Sequence, residues 1–236
     1  MKITAHPEWM VDLLKYLEPF KSKVTNHKVF RDINSRKLTI KQFRGALINF
    51  YPLIEDFPKY MALNLAKVPP GNAAANRRTR YWLMTNINQE RLHAGWWREF
   101  AFGFGLPKNT LEKEVSPPPQ MDAINNYLWR ICTYGSLAEG IAAANYAVEG
   151  PTGEWTKGIT VGIQQYSGVD GVNLNAKSLE WITAHAKYDD HHPEEALELI
   201  KAYAVNRKDQ EKVGHAMQRS LEYYALALDC CYKLFK

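Results

Sequence analysis

Apolar residues recur three and four positions apart along most of the chain, the period of a helix with one buried face. Trp9, Met10, Leu13, Leu14, Leu17 and Phe20 fall on one such face. The pattern predicts a short helix over residues 29–35. Thr39 is a helix N-cap with Gln42 three residues on, ahead of Phe43, Leu47, Phe50 and Leu53. That helix is expected to run to about residue 67, bent near Pro52 or Pro58. Pro69-Pro70-Gly71-Asn72 breaks the chain. Further helices are expected over 73–102, closed by Gly103, Gly105 and Pro107, and over 121–149, stopped at Gly150-Pro151. Residues 152–166, 176–190, 194–204 and 208–234 complete the set, with Pro193 interrupting the third-last of the periodic runs. There are no alternating runs joined by Asn-Gly turns, and no internal repeat. The expected fold is all-α, one domain over 1–236, with seven or eight helices packed as a bundle.

Composition narrows this picture. Of 236 residues, 46% are apolar and 23% charged, which suits a chain that buries a core. No stretch of 18 or more apolar residues occurs, so no membrane-spanning helix is expected. The first twenty residues lack the apolar run of a secretory signal. Cys132, Cys230 and Cys231 cannot form a disulfide framework, which points to a cytoplasmic location. The net charge of +5 falls short of a nucleic-acid-binding composition. The basic residues between 21 and 44, and Arg77, Arg78 and Arg80, read as solvated helix faces.

Two spacings carry chemistry. Glu90-Arg91-Leu92-His93 is a Glu-x-x-His, and side chains three apart on a helix point the same way, so a carboxylate and an imidazole can grip one ion. By itself the motif also fits a surface Glu beside a half-buried His. His185, Asp189 and His192 lie within about 60° of one another around a helix, three ligand types on one stripe. Pro193 disfavours helical geometry at His192 and can re-aim it. The stretch 137–148 is apolar or small except for Glu139 and Asn145, and Glu149 follows it. A carboxylate on a buried helix needs a cation. Glu139 competes for that argument, and Glu55 and Asp56 form another acidic point among apolar residues. Glu90, His93, Glu149, His185, Asp189 and His192 thus offer three carboxylates and three imidazoles without a thiolate, a set that suits Fe(II) or Mn(II) better than structural zinc. The second Glu-x-x-His that a ferritin-like site needs is missing.

His-x3-Asp-x2-His late in an all-α chain, after a Glu-x-x-His and a lone Glu on a central helix, resembles the haem-oxygenase-like di-iron oxidases and oxygenases. These belong to the superfamily that also holds thiaminase II (TenA) and the pyrroloquinoline-quinone synthase PqqC. The likeness covers nearly the whole chain, and the Glu-x-x-His spacing resembles the fatty-acid decarboxylase UndA within it. Where relatives place the histidine one turn further on, this chain has Trp97, which cannot ligate. The resemblance implies a haem-oxygenase-like/TenA-like bundle, a homodimer, and the six named residues as ligands of two Fe(II) ions per chain. It further implies O2 as co-substrate, acting on a small amphipathic acid or amine. Phe50, Leu53, Ile54, Phe57, Trp96, Ile141 and Tyr146 are candidates for the substrate pocket.

Other readings stay open. A thiaminase-II-like hydrolase would use Cys132 as nucleophile and Glu222 on the last helix, and would leave both histidine motifs unexplained. A PqqC-like oxidase would bind substrate with no iron. Tyr188, inside the His-x3-Asp spacing, and Tyr146, just before Glu149, read as ordinary packed or hydrogen-bonded tyrosines.

Overall fold

The computed structural model describes residues 1–188 and 192–234, and among them there are helices and no strands. The periodic runs become α1 (Glu8–Thr25), α2 (Lys28–Asn34), α3 (Ile40–Asn49), α4 (Tyr51–Ala66), α5 (Ala74–Glu90), α6 (His93–Gly103) and α7 (Pro119–Tyr134). They continue as α8 (Leu137–Ile141), α9 (Glu149–Ile159), α10 (Glu180–Tyr188), α11 (His192–Tyr203) and α12 (Arg207–Leu234). At 28 residues, α12 is about 42 Å long and forms the spine. It packs against α7, α1 and the α8 region, while α4 packs on α5 and α7, and α10 lies against α9 and α6. None of these helices is long and apolar enough to cross a membrane.

The Thr39 cap forms as expected. Its Oγ1 accepts from Gln42 N at 3.1 Å, and Gln42 Oε1 accepts from Thr39 N at 3.0 Å. Such a cap contributes about 1 kcal/mol. The long helix expected from Thr39 is two segments that meet at Phe50, with Pro52 in the first turn of α4, where its missing N–H costs nothing.

Two expected helices are broken where the site lies. The run 73–102 divides at Arg91 and Leu92, where Leu92 N bonds Gln89 O three residues back at 3.1 Å and tightens the chain. The run 121–149 divides at Gly135-Ser136. Ser136 caps α8 through a second capping box, with Glu139 Oε2 accepting from Ser136 N at 2.8 Å. Glu139 is therefore a capping residue rather than a buried carboxylate in search of a cation. After α8 comes a π-helical turn over Ala142–Tyr146, marked by Ala147 N bonding Ala142 O at 3.1 Å, five residues back. Gly150-Pro151 does not stop a helix; it lies in the first turn of α9, where proline is tolerated.

The α4–α8 crossing depends on a glycine. A Cβ on Gly140 would stand 2.0 Å from Oδ1 of the wholly buried Asn64. Gly140→Ala is expected to destabilise the protein by about 1–3 kcal/mol, as overpacking does. In a thermal melt that lowers Tm by roughly 2–4 °C per kcal/mol for a chain of this size. An unchanged Tm would show that the helices can separate freely.

Candidate metal centre

Glu90 is the last residue of α5 and His93 the first of α6, so the Glu-x-x-His spans a junction between helices. The tight turn still brings them together: His93 Nδ1 lies 2.5 Å from Glu90 Oε2, with both residues buried. Burial raises the Glu90 carboxyl to about 8 and lowers His93 to about 4. Burial thus disfavours the charged form of both groups.

Glu149 opens α9, and His192 opens α11. Glu149 Oε2 is 3.7 Å from His192 Nδ1, an ion-pair distance, while Oε1 accepts from Asn145 Nδ2 at 2.7 Å. Burial pushes the Glu149 carboxyl upward. Desolvation lowers His192, but Glu149 and then Glu90 outweigh it, so its net shift is upward.

His185 sits on α10, one turn after Trp181. Its Nδ1 lies 2.7 Å from the Trp181 carbonyl oxygen, and its ring packs at 3.9 Å from the Trp181 indole and 4.6 Å from the His93 ring. Burial, then the nearby His93, lowers it to about 3, so it is neutral. A neutral ring that donates from Nδ1 to a carbonyl carries its lone pair on Nε2, the arrangement of a metal-ligating histidine.

Glu90, His93, Glu149, His185 and His192 all line one small cavity of about 80 Å³, together with Gln89, Leu92 and Trp96. Four of them, all but His192, also line a larger cavity of about 110 Å³. By this measure a water needs roughly 10–15 Å³, so the larger cavity has room for several. Its wall is mostly aliphatic and aromatic, drawn from α2, α3, α4, α6, α9, α10 and α12, and no described Lys or Arg belongs to it. The donors thus stand as the partition between two cavities.

Among the described residues, no three His, Cys, Asp or Glu side chains are gathered closely enough to hold one ion as they stand. The donors instead satisfy one another in pairs around the small cavity. Their chemistry nevertheless fits a divalent transition metal: two buried carboxylates and three imidazoles, with no thiolate. Asp189, the sixth residue expected from the sequence, lies outside the described residues, as do Asp190 and His191.

Of the expected pocket residues, Phe50, Leu53, Ile54 and Phe57 line the larger cavity and Trp96 the smaller one. Ile141 is core and borders neither, while Tyr146 faces a separate surface pocket beside Lys21 and Glu154. Glu55 is exposed, and Asp56 is half-buried and accepts from Lys59 Nζ and Trp129 Nε1. Neither is an acidic point awaiting an ion.

The sequence reading overlooked three parts of the site. Trp181 orients His185, and an aromatic four residues ahead of a periodic histidine motif gives no signal of that. Trp97 lines the larger cavity and is tethered by Nε1 to Leu47 O at 2.7 Å. Tyr224 brings a polar point into the same wall, accepting from Trp155 Nε1 at 2.9 Å and meeting Thr152 Oγ1 at 3.0 Å.

Residues 44–225 match the model of a family described as iron-containing redox enzymes. Among solved structures the chain is similar to a TenA homologue from Pseudomonas syringae pv. tomato, at 30% identity over 99% of each chain and a TM-score of 0.89. A domain of unknown function with a haem-oxygenase-like fold from Shewanella denitrificans shares 19% identity over 97% of this chain and 94% of that one, with a TM-score of 0.76. A putative TenA-like thiaminase from Sulfolobus solfataricus shares 11% identity over 96% of each chain, with a TM-score of 0.68. The last two likenesses concern the fold alone. No curated protein matches the chain.

Proposed function

Because the chain belongs to the family of iron-containing redox enzymes, we propose that it is a non-haem iron oxidase or oxygenase. It would use two Fe(II) ions and O2 on a small amphipathic acid or amine. The observation that carries this reading is the convergence of Glu90, His93, Glu149, His185 and His192, from five helices, on one cavity against a large apolar one.

These five residues would hold the metal, with Asp189 as the sixth ligand. Bound iron would supply the activation of O2 needed to remove hydrogen from the substrate. The chain's own contribution is placement. The Trp181 carbonyl fixes the His185 tautomer, and Asn145 holds one oxygen of Glu149. The larger cavity takes up the apolar body of the substrate and keeps water out. With no described Lys or Arg in that wall, an acidic head group finds its strongest partners at the donor end. One polar head with an apolar tail is the shape of a medium-chain fatty acid, and its oxidative decarboxylation is the finer reading we favour.

The likeness to TenA homologues supports a second reading, a thiaminase-II-like hydrolase. The geometry of its two expected residues weighs against it. Cys132 is wholly buried between Asn64 and Gly140 and lines neither cavity, and burial pushes its thiol up to about 11. A nucleophilic cysteine requires the opposite shift. Glu222 is partly exposed on α12, accepting from Gln218 and paired with Arg219. A PqqC-like oxidase without iron would need the same donors to bind substrate directly.

Anaerobic loading with Fe(II), followed by desalting and metal analysis, is expected to give about two irons per chain, as in two-metal sites. At a free metal concentration 100 times Kd, binding adds about 2.7 kcal/mol of stability, a rise in Tm of roughly 5–10 °C. Cys132→Ala is expected to leave the iron content unchanged. A wild-type chain that retains no iron would overturn the oxidase reading.

A further inference from the structure

The Glu149 carboxylate is held by a side chain that no ligand pattern contains. We infer that Asn145, carried on the π-helical turn, is a positioning residue that presents Glu149 to the metal; this rests on the iron reading above.

The local backbone explains how. In a continuous α-helix each residue advances 100°, and the additional residue of a π turn shifts everything after it by one position. The turn Ala142–Tyr146 lies just ahead of Glu149, so Glu149 takes the direction that residue 148 would hold in an uninterrupted helix. Across this junction Asn145 Nδ2 donates to Glu149 Oε1 at 2.7 Å. The other oxygen, Oε2, is left on the side of His192 Nδ1, and the carboxylate borders both cavities. One oxygen is thus occupied and the plane of the group is set, leaving the second oxygen to bind a cation.

A purely structural reason for Asn145 fits poorly. The residue is wholly buried, and its Oδ1 has no hydrogen-bond partner among the described residues. With that end unpaired, the hydrogen bond that accounts for a buried amide here is the one from Nδ2 to Glu149. The amide is explained by what its other end does. Groups that hydrogen-bond to metal ligands tune affinity strongly, and losing one typically costs about 10–100-fold.

A merely structural residue would affect the melting temperature and leave metal affinity alone, and the test uses that difference. Asn145→Val, somewhat larger, and Asn145→Ala, smaller, both lack the donor; they are compared with wild type by thermal melting without metal, which fixes a temperature at which each is folded, and there by titration with Co(II), followed through its visible absorption. Positioning predicts that both folded variants bind Co(II) about 10–100-fold more weakly, whatever their metal-free Tm. Wild-type affinity in either folded variant overturns the inference. A wild-type protein that takes up no Co(II) removes the iron reading itself, and this inference falls with it.

Discussion

His185→Ala is expected to reduce iron retention by at least about 100-fold, the upper end of what loss of a residue merely bonded to a ligand costs. The reasoning starts from the ring's tautomer. Nδ1 is committed to the Trp181 carbonyl at 2.7 Å, and the ring is neutral because burial lowers its pKa to about 3. Its other nitrogen is then a bare lone pair in a cavity wall shared with Glu90, His93 and Glu149. Alanine removes that donor along with an indole contact at 3.9 Å, so some stability is lost as well. His185→Gln separates the two effects, since it keeps much of the side-chain volume and a polar end but not the imidazole. Iron per chain after anaerobic loading and desalting is the readout, with a metal-free melt as control. If both variants keep the wild-type iron content, His185 is not a ligand and the centre must be built from other residues.

How much of this was legible in the sequence depends on which signal each element carries. The Thr39 cap was readable because a capping box is local, two side chains bonding backbone three residues apart. The break between α5 and α6 was not, because Arg91-Leu92 contains neither glycine nor proline and the apolar period runs through it. Gly150-Pro151 was read with the wrong sign. The same pair that ends a helix from one side begins one from the other, and the π turn upstream of it leaves no mark in apolar spacing. Ser136-x-x-Glu139 was a readable capping box that an all-apolar neighbourhood obscured, so Glu139 was weighed as a buried acid instead.

The candidate donors were grouped on partly mistaken geometry. Glu90 and His93 were expected on one helix face, and His185 and His192 on another. In the structure each pair is divided between two helical segments, α5 and α6 or α10 and α11. They converge because helix ends meet at the cavity, which concentrates donors there as effectively as a stripe would. The second layer was invisible for a different reason. Trp181 acts through its backbone carbonyl, which every residue possesses. Asn145 had a faint signal, as one of two polar residues in 137–148, but only its contact in the fold assigns it to Glu149.

The second large effect concerns pH, and it has opposite signs with and without metal. Glu90 is raised from 4.5 to about 8, so its folded form keeps a proton that the unfolded chain releases. That contribution to stability is complete below pH 4.5 and is lost as pH climbs through 8. Glu149 and His192 are raised too and share its sign. His93 and His185 are lowered from 6.5 to about 4 and about 3. Their contribution is complete above pH 6.5 and is lost as pH falls toward those values. Between 4.5 and 6.5 the raised and lowered groups oppose one another, and above 6.5 the raised groups act against the fold, Glu90 alone at up to about 1.4 kcal/mol per pH unit. The metal-free protein should therefore melt lower at pH 8 than at pH 6.5. Metal reverses the trend, because a ligating carboxyl must give up its proton while the two low-pKa imidazoles are already bare. Displacing the Glu90 proton alone makes affinity rise about tenfold per pH unit, so by about 100-fold or more from pH 6 to pH 8 once Glu149 and His192, raised as well, are counted. Co(II) titrations at those two pH values, with parallel melts, measure both slopes. An affinity that does not change between them would mean that Glu90 binds no metal, and the centre would lose one of the two carboxylates that line both cavities.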